Sequence, residues 1–240
     1  MTKSIYAARL DDVQARLASD LKVAGFRRRG RTFNRSEEDG IIQVVNLQMW
    51  PSPIGDTSAL DNSMYGTFAV NLGVYISEVY AARFPGPRDF PVEADCAIRT
   101  RLERLIDQPD FAWSLKDRLG GLLKPKADVV AASVWEALEA KGFEFLERFS
   151  TRRKILAAWI SETRWEHGAS RIARVDVAIM EAVAGDRQRA RDLLNQHISH
   201  VDPSRHNGRH HVDHVRELAA SLGIERLVSW PPNMPETHRE

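Results

Sequence analysis

From Phe68 to Ile76, large apolar side chains alternate with other types. Phe68, Val70, Leu72, Val74 and Ile76 form one set, and Ala69, Asn71, Gly73 and Tyr75 form the other. A two-residue period puts the sets on opposite faces of a strand, and the bulky set demands a covering layer. A chain with this segment must therefore build a sheet whose two faces differ. Ile41–Trp50 is also β-branched and aromatic-rich, and Phe26–Arg29 and Arg31–Ser36 are short strand-like runs around Gly30. Asp39-Gly40 is a hairpin signal between these runs. The expectation is an antiparallel four-stranded sheet.

Before the sheet, Ile5, Leu10, Val13, Leu17, Leu21 and Ala24 recur at spacings of mostly three and four, and Gly25 follows. That is an amphipathic helix with a glycine stop. Pro51–Gly66 reads as a loop, and Arg83–Glu93 as a Pro-rich connector and candidate boundary. Beyond it the spacing predicts helices over Ala94–Ile106, Asp110–Leu123, Asp128–Lys141, Phe143–Phe149, Thr151–Trp165, Arg171–Ala184, Asp186–His200 and His210–Leu222. Asp186 is placed as an N-cap after Gly185. The fold class is α+β: residues 1–92 carry a helix and the sheet, 93–230 a helical region packing on it, and 231–240 a loose Pro-rich tail.

Alternation also assigns the second sheet face. With Phe68, Val70, Leu72 and Val74 inside, Asn71 and Tyr75 point the other way. Val45, Leu47 and Met49 inside send Asn46, Gln48 and Trp50 to join them. Phe33 and Phe26 inside add Thr32, Asn34, Arg27 and Arg29. The set Arg27, Arg29, Asn34, Asn46, Gln48, Trp50, Asn71 and Tyr75 is the candidate partner-binding surface. Amides donate and accept, guanidinium groups grip carboxylate or phosphate, and aromatic rings stack. Exposed Trp50, Tyr75, Arg27 and Arg29 are the expected anchors. The competing expectation is that the later helices cover this face and its amides satisfy backbone groups.

These residues carry a resemblance. An opening helix, GFRRRGRTFNR, IIQVVNLQ, FAVNLGVY, DCAIRTRLERLI and the Trp113 of WSL resemble domain of unknown function 4304, over about Leu10 to Leu115. The resemblance implies a shared fold, a bacterial origin and no catalytic residues to carry over. By analogy of fold it implies an immunity-type or other partner-binding role.

Six histidines fall between His197 and His214. His197 and His200 are three apart, His210 and His214 four apart, which are helix spacings that chelate zinc, with Asp202 or Asp213 as oxygen donors. HExxH is absent, and ligand spacing without a complete set is mostly coincidence. No GxGxxG, GxxxxGK[ST] or GxSxG occurs, and the single Cys96 excludes an intramolecular disulfide and sits on an apolar stripe. Six basic residues and no acidic one lie between Lys22 and Arg35, yet the net charge is only +1. A solvated, charge-protected edge is expected there rather than a nucleic-acid interface through Arg27–Arg31. No signal peptide or apolar span is legible, so the expected location is the cytoplasm. The reading is a non-enzymatic protein-binding module that needs no cofactor. Metal binding, or metal-dependent hydrolysis, through His197, His200, His210 and His214 is the alternative, and nucleic-acid binding the second. Composition and spacing do not fix the oligomeric state.

Overall fold

The computed structural model describes residues 4–50, 64–108, 112–117, 125–161, 172–202, 204–225 and 227. The expected tail, most of the expected 51–66 loop, most of the expected 110–123 helix and residues 162–165 of the expected 151–165 helix lie outside them. In chain order the elements are α1 (Ile5–Val23), β1 (Arg27–Arg29), β2 (Thr32–Ser36), β3 (Ile41–Met49), β4 (Thr67–Ile76), α2 (Ser77–Ala81), β5 (Ile98–Arg101), α3 (Leu102–Leu105) and β6 (Trp113–Ser114). Then come α4 (Ala127–Ala137), α5 (Phe143–Arg148), α6 (Arg152–Ser161), α7 (Arg174–Val183), α8 (Arg187–Ser199) and α9 (Gly208–Ser221). Two compact units result: Met1–Ile76 with Arg88–Arg171, and Ser77–Pro87 with Ile172–Glu240.

The first unit is mixed α+β. Ser4 caps α1 by accepting from Ala7 N, and Gly25 ends it at φ +88°. Leu10, Val13, Leu17 and Leu21 form its buried stripe. The Gln14 amide donates to Gly30 O, holding the β1–β2 turn against α1. Asp39 and Gly40 both take positive φ between β2 and β3, as the hairpin signal requires.

The sheet is antiparallel, ordered β1-β2-β3-β4-β5, with β6 also paired to β4. It has six described strands rather than the expected four. The additions come from segments expected as helix: Ile98 and Thr100 are buried while Arg99 is exposed, a period of two. A run with Cys96, Ile98, Leu102, Leu105 and Ile106 suits either period, and of Ala94–Ile106 only Leu102–Leu105 is α-helical. What decides is the second edge of β4, whose backbone groups need partners. β5 serves Asn71–Val74 and β6 serves Thr67 and Phe68. In the gap, Glu103 Oε1 accepts from Val70 N at 3.3 Å.

Phe33, Val45, Leu47, Phe68, Val70, Leu72 and Ile98 share one fully buried face. Helices α1 and α5 pack toward it, and Gln43 Nε2 donates to Leu146 O at 2.9 Å. A π-turn, Leu138–Gly142, joins α4 to α5, so Gly142 does not interrupt the helix as expected. A Cβ at Gly142 would lie 2.8 Å from Leu138 Cδ2 and 3.2 Å from Leu102 Cδ1, which reserves the position for glycine.

In the second unit α2 packs on α7, and buried Asp176 accepts from Arg83. Helices α7 and α8 form the expected hairpin around Gly185, with Asp186 accepting from Arg189 N at 2.8 Å. Helix α9 follows, packed on α8. Among the described residues no helix is long and apolar enough to cross a membrane.

Candidate partner-binding site

Strand register lines up the second sheet face. Arg29, Thr32, Asn46, Asn71 and Arg101 stand in one row across β1 to β5, and Arg27, Asn34, Val44, Gly73 and Arg99 in another. Strands pack about 4.8 Å apart, so each row runs roughly 19 Å from arginine to arginine. Gln48 and Tyr75 share this face through their parity with Asn46 and Asn71.

Among the described residues, the connector rather than the later helices covers one end of the face. Asn34 Nδ2 donates to Pro91 O at 3.0 Å, and Tyr75 Oη accepts from Arg88 N at 2.9 Å. Gly73 lies under Cys96, whose Sγ would be 2.5 Å from an added Cβ. Burial drives the Cys96 thiol well above its ordinary pKa, with Glu93 and Asp95 adding to the rise and Arg99 opposing it. This packed thiol is the opposite of an activated nucleophile. Tyr75 is 1% exposed, so it cannot be the exposed anchor expected from the sequence, and Asn34 is buried with it. The Pro-rich stretch is no simple boundary: 83–87 belong to the second unit, while Arg88 and Pro91 bond to the sheet.

The other end is buried at Thr32, Ala69 and Asn71 and accessible around them. Gln48 and Arg29 are exposed, and Asn46 and Trp50 are half-buried. Asn71 Nδ2 donates to Gln48 Oε1 at 2.7 Å, and Asn46 Nδ2 to Thr32 Oγ1 at 2.9 Å. Asn71 is buried, yet its amide is committed to an exposed Gln48. The Arg101 guanidinium lies over the Trp50 ring, 5.2 Å from its centroid, a cation–π contact. Gln48, Asn71, Glu93, Arg99, Arg101 and Arg104 line an open cleft of about 370 Å³ beside this pair. Glu93 faces Arg99 at 3.7 Å, and among the described residues the cleft lining holds three guanidinium groups and one carboxylate. Beneath it, burial raises Glu103 to about 7, although backbone N–H groups and then Arg101 and Arg104 pull it down.

Sequence reasoning placed Arg27, Arg29, Asn34, Asn46, Gln48 and Asn71 on this face and missed Arg99, Arg101 and Arg104. For Arg99 and Arg101 the signal was present as Ile-Arg-Thr-Arg, an alternation hidden by the helical reading. The basic strip shrinks in three dimensions. Arg31 pairs with Asp11 at 3.2 Å and Arg35 with Glu37 at 2.8 Å, leaving Arg27–Arg29 as an exposed edge strand.

The histidine cluster resolves differently from its spacing. His197 Nε2 meets His211 Nε2 at 2.6 Å, not His210 or His214, so one ring donates to the other. His200 Nδ1 lies 2.6 Å from Gln196 O of its own helix. Burial lowers the His197 pKa, with His211, Arg174 and His200 adding to the shift. Among the described residues no three His, Cys, Asp or Glu side chains are placed to hold one metal ion, so the four sequence-predicted ligands do not converge.

No curated protein and no solved structure matches the chain. Residues 17–148, more than half of the chain, match the family described as Domain of unknown function (DUF4304). That segment contains every residue of the cleft and neither member of the histidine pair. The chain belongs to the DUF4304 family.

Proposed function

We propose that this protein is a non-catalytic binding module of the bacterial cytoplasm, and that its partner is another protein docking on the open end of the polar sheet face. The observation that carries the reading is the cleft beside Trp50, where amide, guanidinium and indole groups converge at the surface. Trp, Tyr and Arg dominate interface energies, and Trp50 with Arg101 forms an anchor of that composition. Among the described residues, nucleophile, base and orienting group are not assembled around it, which favours binding over chemistry.

The test is site-specific photo-crosslinking in the cells that make the protein. A crosslinker in place of Gln48 is expected to give a discrete heavier adduct, lost on adding Trp50→Ala. One in place of exposed Val129 on α4 is expected to give none. Equal adducts from both positions would reject this face as the interface.

A further inference from the structure

Resting on that reading, we propose that the cleft between β3 and α3 receives side-chain carboxylates from an acidic segment of the partner. Three observations select this chemistry. First, Arg99, Arg101 and Arg104 all line the cleft, and among its described lining residues Glu93 is the one carboxylate. Such a local field attracts anions without the broad basic track that nucleic acid requires. Second, the Arg101 plane rests on the Trp50 ring. Stacking limits guanidinium motion and leaves its N–H edge for a planar, two-oxygen acceptor. Third, Gln48 Oε1 is taken by Asn71 Nδ2, so the remaining hydrogen-bonding capacity of exposed Gln48 includes both of its amide hydrogens, which suit a carboxylate oxygen.

The size fits the same class. About 370 Å³, open to solvent, accommodates one or two short side chains rather than a buried cofactor. Glu93 at the rim, with Asp95 close by in sequence, opposes a chain of phosphates, whose charge is continuous. A segment with spaced carboxylates can set neutral atoms there. The arginine rows extend the argument, since Arg27 and Arg29 stand across the sheet from Arg99 and Arg101. A longer acidic segment crossing the strands meets a guanidinium group at each end, roughly 19 Å apart by strand spacing.

The probe is acetyl-tetraglutamate amide, followed on the side-chain amide resonances of Gln48 and Asn71 by NMR. Controls are acetyl-tetraglutamine amide and inorganic pyrophosphate. Saturable shifts are expected with tetraglutamate and none with tetraglutamine, and the affinity is expected to fall as salt rises. Arg101→Gln is expected to weaken tetraglutamate about tenfold through loss of a charge-assisted pair. Because Arg101 also packs on Trp50, Arg104→Gln on the exposed face of α3 serves as the second variant, with a smaller loss expected. Equal shifts with tetraglutamine, tighter saturation by pyrophosphate, or undiminished affinity in both variants would overturn the proposal. Adducts at Gln48 from a protein that ignores tetraglutamate would remove the carboxylate assignment and leave the protein-binding face standing. Tetraglutamate binding without adducts would do the reverse.

Discussion

At one end of the polar sheet face, Asn34, Gly73 and Tyr75 lie beneath the connector that carries Arg88, Pro91 and Cys96; at the other, Gln48 is exposed beside the Trp50–Arg101 pair and Arg29 is exposed across the sheet from it. The residue types are similar and the consequences differ. A covered amide or phenol must find a partner, and Asn34 and Tyr75 find backbone groups of the connector. An uncovered amide keeps capacity for something outside the chain. Polar residues on one sheet face therefore divide into fasteners and contacts by whether the chain returns over them. Substitutions at the covered end are expected to act on stability, and those at the open end on binding.

The strongest way to break this comparison is Gly73→Val. A Cβ at Gly73 would lie 2.5 Å from Cys96 Sγ and 2.9 Å from Cys96 Cβ, so the connector must lift. Overpacking of this kind costs about 3 kcal/mol, measured as a lowered midpoint in urea. The buried Cys96 thiol is expected to react with a thiol reagent faster than in the unsubstituted protein. A Gly73→Val protein with an unchanged midpoint and a protected thiol would show that the connector is not seated on this face.

The second effect belongs to the open end and depends on pH. Folded Glu103 sits at about 7 against an ordinary 4.5, so the folded state binds this proton more tightly. Stability from this group is greatest below pH 4.5, falls as pH rises toward about 7, and is level above that. The fall is about 2 kcal/mol after discounting the shift for solvent screening. Glu103→Gln keeps an acceptor for Val70 N and is expected to flatten the profile across that interval. Arg101→Gln removes a charge that favours the carboxylate and is expected to move the upper limit of the interval higher. Urea melts at several pH values test both, and a Glu103→Gln profile as steep as the original would assign the slope elsewhere.

The legible and illegible parts of the site separate for a physical reason. Clean alternation in Phe68–Ile76 gave each side chain its face, and the observed register keeps Asn46, Gln48 and Asn71 together as the pattern required. Helix α1 and the α7–α8 hairpin were legible through their apolar spacing and their glycine and aspartate stops. β5 was not, because four residues fit two periods and the arbiter, an unpartnered edge of β4, is a tertiary fact. The burial of Tyr75 was hidden because a Pro-rich stretch carries no periodicity to say what it covers. The histidine pairing was not legible for want of packing information: spacing favours pairs within one helix, whereas α8 and α9 bring His197 to His211.

Two milder substitutions, matched across the face, sharpen the comparison. Tyr75→Phe removes the hydroxyl that accepts from Arg88 N and leaves the ring in place. A part-buried backbone N–H loses its acceptor, which is expected to cost about 1 kcal/mol and to leave tetraglutamate binding unchanged. Gln48→Ala removes an exposed amide that accepts from Asn71 Nδ2, and the accessible end lets water replace it. The stability change is expected to stay within about 0.5 kcal/mol, while tetraglutamate affinity falls severalfold. Read side by side in one urea series and one titration series, the pair should exchange roles. A Gln48→Ala protein as destabilised as Tyr75→Phe, with its affinity intact, would make Gln48 a fastener like Asn34 and would place the contact surface nearer Arg99 and Arg104.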